Sequence, residues 1–495
     1  MGIIEIVFPK LNHFWLDSGL LGLGLILEHL KTQDHLKIEF EIIESAIKLK
    51  GPEEDINETL NRAYDLLIRT HYDTSSKKQR DDKSSYNFYY VERLDKFIDF
   101  PKKKPVGIAE LIYNKAPRPT GSSVKWQEKK EKEVWINNKL VKKTTWILPN
   151  GYSHLQKRLD EFLNQKGLKI TTSGLLLNGP NEVRPNVTIP EKFKPEKKGV
   201  CFLCGRNSFV LENISQTVFP FITGESGLLN FNSHCGGPER VCWQCAYVAK
   251  FVPVNGFYLR QGDDLFVFFP FSTDLIKMKE VYPVLQEAKY DDPNLSKNFQ
   301  HPLGFDNFPD GYFQKLYEVT FAFLYTIYKK ILLKKISDDS SSYIEEICGL
   351  FLSKAPLEFV VVQAKKKGET LMGTTIWPFN DSVYFFRLMK KIEESGLDIK
   401  EVMRLLINFS QKNENRTLIR DRICERILKK RPILELIEIY VYSRDIDYIK
   451  PIFDLAYIYE EIIRKEGNNM DSEAQEAAVN LGKRIGLALA ENGKK

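Results

Sequence analysis

Cys201-Phe-Leu-Cys204-Gly205 and Cys242-Trp-Gln-Cys245 are the two short stretches whose reading decides the organisation of this chain. Each is a Cys-x-x-Cys knuckle, and 37 residues separate them. A two-residue spacer in a tight turn lets both sulfurs of a pair face one ion, and two such turns complete a tetrahedral four-thiolate shell. Gly205 directly follows a cysteine, where a knuckle turn asks for positive φ. The spacing predicts a structural zinc ion held by Cys201, Cys204, Cys242 and Cys245. Disulfides are the competing use of four cysteines, and His234 or Cys235 could replace a ligand. A catalytic zinc keeps an open position, and a zinc deaminase needs a His-x-Glu partner that is missing before the second knuckle.

Outward from the knuckles, the 495 residues suffice for two to four domains. The start, Met1-Gly-Ile-Ile-Glu-Ile-Val-Phe8, lacks the basic and long apolar regions of a signal peptide. No uncharged apolar run reaches membrane-spanning length. The expected setting is therefore cytoplasmic, without membrane attachment, where cysteines stay reduced and free for metal.

Before the knuckles, Glu5–Phe8 reads as a short strand, with Asp17 or Ser18 capping a buried helix over Leu20–Leu27. A strand is expected within Lys37–Leu49, a helix over Glu53–Tyr72, a strand over Lys139–Leu148 and a helix over Tyr152–Leu163. After them, Leu265–Pro270 is a strand, Phe313–Lys335 a helix and Phe359–Gln363 a short strand, and Lys365–Thr370 is polar. From about Thr374 the period becomes helical throughout: Asp381–Glu394, Ile399–Gln411, Asn415–Lys430, Ile433–Tyr442, Ile446–Lys465 and a last helix opened by Ser472. The fold class is α+β: a mixed N-terminal body with an inserted four-cysteine zinc-binding segment, then a C-terminal all-α helical bundle. The expected boundaries are 1–198, 199–250, 251–370 and 371–495.

Net charge is only +6, but basic clusters recur, among them Lys102–Lys104, Lys192–Lys198, Lys365–Lys367 and Lys429-Lys430-Arg431. Such patches attract phosphate backbones without reading sequence. In the loop Asn114–Trp126, Arg118 and Lys125 are candidate backbone contacts, and Asn114, Gly121 and Ser122 offer polar groups and main-chain amides. Arg416, Arg420, Lys429, Lys430 and Arg431 are the candidates in the bundle. The acidic pairs Asp263-Asp264, Asp291-Asp292 and Asp338-Asp339 are adjacent loop residues, unsuited to converging on one reacting centre.

With the helical tail, Asp17-Ser-Gly19 before an apolar helix, the Gly199-Val-Cys201 approach and a terminal helix centred on Leu481-Gly482, the knuckles resemble the CRISPR-associated CXXC–CXXC proteins, large subunits of type I-B Cascade complexes. The resemblance implies a non-enzymatic subunit with crRNA, double-stranded target DNA, the backbone and small Cascade subunits and a recruited helicase-nuclease as partners. It would recognise the protospacer-adjacent motif and help open the duplex while the guide reads the sequence. The bundle would line the displaced strand. Lys367-Gly-Glu-Thr-Leu-Met372 can be encoded with a purine-rich ribosome-binding sequence ahead of an ATG, so Met372 is a candidate internal start yielding the last 124 residues. The family includes members that make a small subunit this way. The competing reading is a nucleic-acid-processing enzyme, a nuclease or modifying enzyme, carrying a zinc ribbon. A free-standing zinc transcription factor fits less well, because the chain is large and weakly basic.

Overall fold

A computed structural model describes residues 2–32, 36–71, 86, 88–99, 108, 123–130, 134–136, 139–141, 144–170, 174–178, 189–190, 199–208, 211–214, 218–219, 240–279, 313–337, 358–367, 370–442 and 449–465. Mixed α and β structure is present, as the sequence reading expects. The chain divides into two compact units. The first gathers Met1–Lys279, Gln286–His301 and Ala364–Thr375; the second gathers Glu280–Leu285, Pro302–Gln363 and Ile376–Lys495.

In the first unit, β1 (Ile3–Pro9) leads into α1 (Phe14–Thr32). The hairpin of β2 (Glu39–Ile43) and β3 (Ala46–Pro52) follows, then α2 (Glu53–His71). The sheet order is β1-β3-β2, antiparallel, with Ile6 opposite Leu49 and Phe8 opposite Ile47. These four side chains face the core. Glu53, Glu54 and Asp55 fill the first turn of α2, where carboxylates complement the positive helix end. Ile56, Leu60, Ala63, Tyr64 and Leu67 then return at helical period to be buried.

Helix α1 is buried from Trp15 to Leu27 without interruption. Its glycines are contacts. A Cβ on Gly19 would lie 2.3 Å from the carbonyl oxygen of Val248, and one on Gly22 would lie 2.3 Å from that of Phe251. The helix also begins a turn before the expected cap, at Phe14, so neither Asp17 nor Ser18 is the N-cap. Asp17 instead accepts from the Leu11 amide at 2.8 Å and pairs with Lys10 Nζ at 2.8 Å, both side chains being buried. A buried carboxylate needs such a partner.

A second core lies within this unit. It contains β4 (Phe88–Val91), β5 (Lys96–Asp99) and β6 (Ser123–Val124). The short strands β7 (Gln127–Lys130), β8 (Val134–Ile136), β9 (Lys139–Val141) and β10 (Thr144–Ile147) follow. Then come α3 (Gln156–Lys166) and β11 (Leu175–Leu177). The strand order is β5-β4-β11-β6, and α3 adds Leu159 and Leu163 to Phe88, Tyr90, Phe97 and Trp126. Beyond it are β12 (Leu211–Asn213), β13 (Arg240–Cys242) and α4 (Trp243–Ala249). The apolar run read as a strand is half of the hairpin β14 (Phe257–Gln261) and β15 (Asp264–Phe271).

Helix α5 (Leu316–Ser337) opens the second unit; the neighbouring strands β16 (Glu358–Lys367) and β17 (Thr370–Phe379) follow in sequence, their residues 364–367 and 370–375 belonging to the first unit and the rest to the second. The helices α6 (Ser382–Glu394), α7 (Ile399–Leu405), α8 (Leu418–Leu428), α9 (Leu434–Tyr442) and α10 (Lys450–Lys465) complete it. Two expected helices are shorter than their periodicity. Between α7 and α8 the Asn408 side chain accepts from the Ser410 amide at 3.1 Å, a local bond that competes with helix.

Helix α5 packs on α6 and α8, within the compact unit that holds Pro302–Gln363 and Ile376–Lys495. The stretch Lys365–Thr370 spans the end of β16 and the first residue of β17, with Met372 inside β17. A product starting there would lack α5.

Candidate metal centre

Each knuckle is fixed by its own backbone before any ion is considered. In the first, Val200 and Asn207 form an antiparallel bridge. The Cys201 amide donates to Arg206 O at 2.8 Å, and the Gly205 amide donates to Cys201 O at 2.9 Å. Gly205 sits at φ +69, the conformation expected of it. In the second, Cys242 ends β13 and serves as N-cap of α4, its Sγ accepting from the Cys245 amide at 3.5 Å. Strand pairing places Leu211 opposite Cys242, and the Phe202 amide donates to Arg240 O at 3.0 Å. The two turns are thereby held face to face.

Their four sulfurs lie within 4.8 Å of one another. Cys201 Sγ is 3.9 Å from Cys245 Sγ, and Cys204 Sγ is 3.8 Å from Cys242 Sγ. A tetrahedron with Zn–S bonds of about 2.3 Å has edges of about 3.8 Å, so these separations fit a single central ion of that kind. Cys201, Cys242 and Cys245 are buried, and Cys204 is partly exposed. The hydrogen bond with Cys204 raises the Cys201 thiol, but those with Cys242 and Cys245 draw it down to about 6. Cys204 is pushed down by its bonds to Cys201, Cys242 and Cys245. Cys242 is pushed far up by its bonds to Cys201 and Cys204, against that to Cys245, and Cys245 by its bonds to the other three thiols, with burial adding to both. Four thiolates in this volume need a cation to ionise together.

Outside the sulfurs, two side chains bind the centre to the core. Arg206 donates to Val7 O at 3.2 Å and to Gln244 Oε1 at 2.8 Å, while Gln244 Nε2 donates to Val7 O at 3.2 Å. Trp243 stacks edge-on against Phe8 at 5.8 Å, and the Tyr247 hydroxyl donates to Leu60 O at 2.7 Å. With Gly19 against Val248, the second knuckle is the start of a helix seated on α1, α2 and β1. Sequence reading missed Arg206 and Gln244. Their only signal is position, one immediately after Cys204-Gly205 and one inside the second knuckle.

The other candidates fare unequally. Lys125 is exposed beside β6, but its neighbour Trp126 is buried against Phe88 and belongs to the core. Asn114, Arg118, Gly121, Ser122, His234 and Cys235 lie outside the described residues. Arg420 is not a surface cation: it is buried, 2.7 Å from Glu318, and donates to Met403 O at 3.1 Å. Lys429 pairs with Glu425 at 2.6 Å, and Lys430 with Asp381 at 3.1 Å. Arg416 donates to Gln411 O at 3.2 Å, and Arg431 is exposed. Among the described residues no helix is long and apolar enough to cross a membrane. No family model matches the chain, and no curated protein matches it.

Proposed function

We propose that this chain is the zinc-bearing large subunit of a type I-B CRISPR Cascade surveillance complex, acting in the cytoplasm without catalysis of its own. It holds crRNA and the other Cascade subunits, contacts the protospacer-adjacent motif in duplex DNA, helps open the target and offers a surface to the helicase-nuclease. The observation that supports the reading is the cluster of four cysteine sulfurs: together they would complete a tetrahedral shell around one ion and leave no position for a substrate, as a scaffold site does. Zinc is the ion that suits four thiolates in a structural role. Held by Cys201, Cys204, Cys242 and Cys245, it would neutralise the thiolates and tie the β12–β13 ribbon to α4. The helical unit that follows supports a division between a motif-contacting body and a strand-guiding bundle.

The test is to express the chain with its genomic neighbours and purify it under native conditions. The reading predicts a co-purifying guide RNA and a repeated backbone subunit. Purification free of RNA would contradict it and favour the zinc-ribbon enzyme.

A further inference from the structure

The turn of the first knuckle brings a cation back to the sulfurs. Gly205, at φ +69, reverses the chain after Cys204, and the Cys201 amide bonds Arg206 O at 2.8 Å, so Arg206 closes the turn. Its guanidinium is then held on two sides, by Val7 O at 3.2 Å from Nη1 and by Gln244 Oε1 at 2.8 Å from Nη2. It also bonds the Cys204 side chain and favours its thiolate, after the larger pulls of Cys201, Cys242 and Cys245. The Arg206 Nε is buried and has no hydrogen-bond partner of ordinary geometry among the described residues. A buried N–H calls for an acceptor, and a charged one serves best. Backbone amides already serve two of the other sulfurs: Cys242 N donates to Cys201 Sγ at 3.2 Å, and Cys245 N to Cys242 Sγ at 3.5 Å. Cys204 is the partly exposed member of the four, so a chelator or an electrophile reaches it first.

We propose that Arg206 is a positioning residue of the metal centre: its guanidinium donates to the Cys204 thiolate of the zinc-loaded protein and so sets how firmly the ion is kept. Four thiolates around one divalent ion leave a net negative centre, and a fixed cation beside its exposed sulfur offsets that charge and lowers the sulfur's reactivity. Val7 O and Gln244 hold the guanidinium in place for this bond. The inference rests on the zinc reading above and adds the residue that guards the exposed ligand.

The experiment uses the full chain, zinc-loaded, with zinc content measured first. Zinc release to a chromophoric chelator is then timed, and peptide mass spectrometry reads the order in which N-ethylmaleimide labels the cysteines. Arg206→Met should release zinc about tenfold faster and label faster at Cys204, as the loss of a partner behind a metal ligand does. Arg206→Lys should stay nearer the wild type than the neutral Arg206→Gln, because a cation remains beside the sulfur although the planar fork is lost. Gln244→Met removes a tether and keeps the cation, so it should speed release less than Arg206→Met. Equal release from Arg206→Lys and Arg206→Gln, or from Gln244→Met and Arg206→Met, overturns the proposal and leaves the zinc reading in place. Should Arg206→Met fail to fold, the comparison of Lys with Gln decides. Labelling of Cys242 or Cys245 before Cys204 in the wild type overturns Cys204 as the guarded ligand. A wild-type chain that holds no zinc overturns the zinc reading itself.

Discussion

The knuckle centre of the first unit and the Glu318–Arg420 centre of the second solve the same problem in opposite ways. Both bury groups that want to be charged. The knuckles assemble four groups of one sign and must import their counter-charge. The helical unit supplies its own. Glu318 Oε2 meets Arg420 Nε at 2.7 Å, and its Oε1 accepts from Thr417 Oγ1 at 2.8 Å and from the Gln314 and Lys315 amides at 2.7 and 2.9 Å. Asp421 then accepts from the Tyr317 and Glu318 amides, at 2.9 and 3.1 Å, at the start of α5. The Phe313 ring lies 4.4 Å from the Arg420 guanidinium. The first centre should therefore depend on metal supply, and the second on sequence alone.

Breaking the metal side should have the largest effect. Cys201→Ser with Cys204→Ser should release the ion, and metal binding in such centres is itself folding free energy, on the order of 10 kcal/mol in small zinc modules. Metal analysis and thermal melting check this; a zinc-free double mutant that melts like wild type would remove the structural role. Breaking the ionic side comes next. Arg420→Ala leaves Glu318 buried without its cation and should cost about 3–5 kcal/mol in denaturant unfolding, with zinc content unchanged. A product starting at Met372 lacks Glu318 as well as α5, so it should show the same weakness unless another chain covers Arg420.

Third, Gly19→Ala drives a methyl against the Val248 carbonyl and should cost about 1–3 kcal/mol by separating α1 from α4. If Gly19→Ala melts as wild type, the close approach is not what seats the second knuckle. The last effect concerns pH. Burial first, then Glu318, push the Asp421 carboxyl up to about 6 from its ordinary 3.8. The native state therefore holds the proton more tightly than the unfolded chain. That contribution is fully present below about pH 4 and is lost as pH rises through 6. Asp421→Asn keeps an acceptor for the α5 amides without the charge, so it should flatten the stability profile between pH 4 and 6. An unaltered slope in that window would show that Asp421 is not the group responsible.

These centres also show what was legible in the residues. The knuckles were readable because the ligand spacing is local, and α2 because its period and acidic first turn agree. Asp17 looked like a cap because Asp before an apolar run usually is one; only the contact with Lys10 shows that it is a buried ion-pair member. Arg420 looked like a surface cation because its partner is 102 positions away. Trp126 read as a loop aromatic for the same reason, its core neighbours being remote in sequence. The glycines of α1 lower helix propensity when read alone, and they make sense only against the backbones of Val248 and Phe251.

The most direct measurement of the central claim is X-ray absorption at the zinc edge of the purified full-length chain. The four-thiolate scaffold predicts one tightly bound zinc with four sulfur neighbours at about 2.3 Å. A shell with a nitrogen or oxygen neighbour and an exchangeable position, or a chain that binds no zinc, would contradict it.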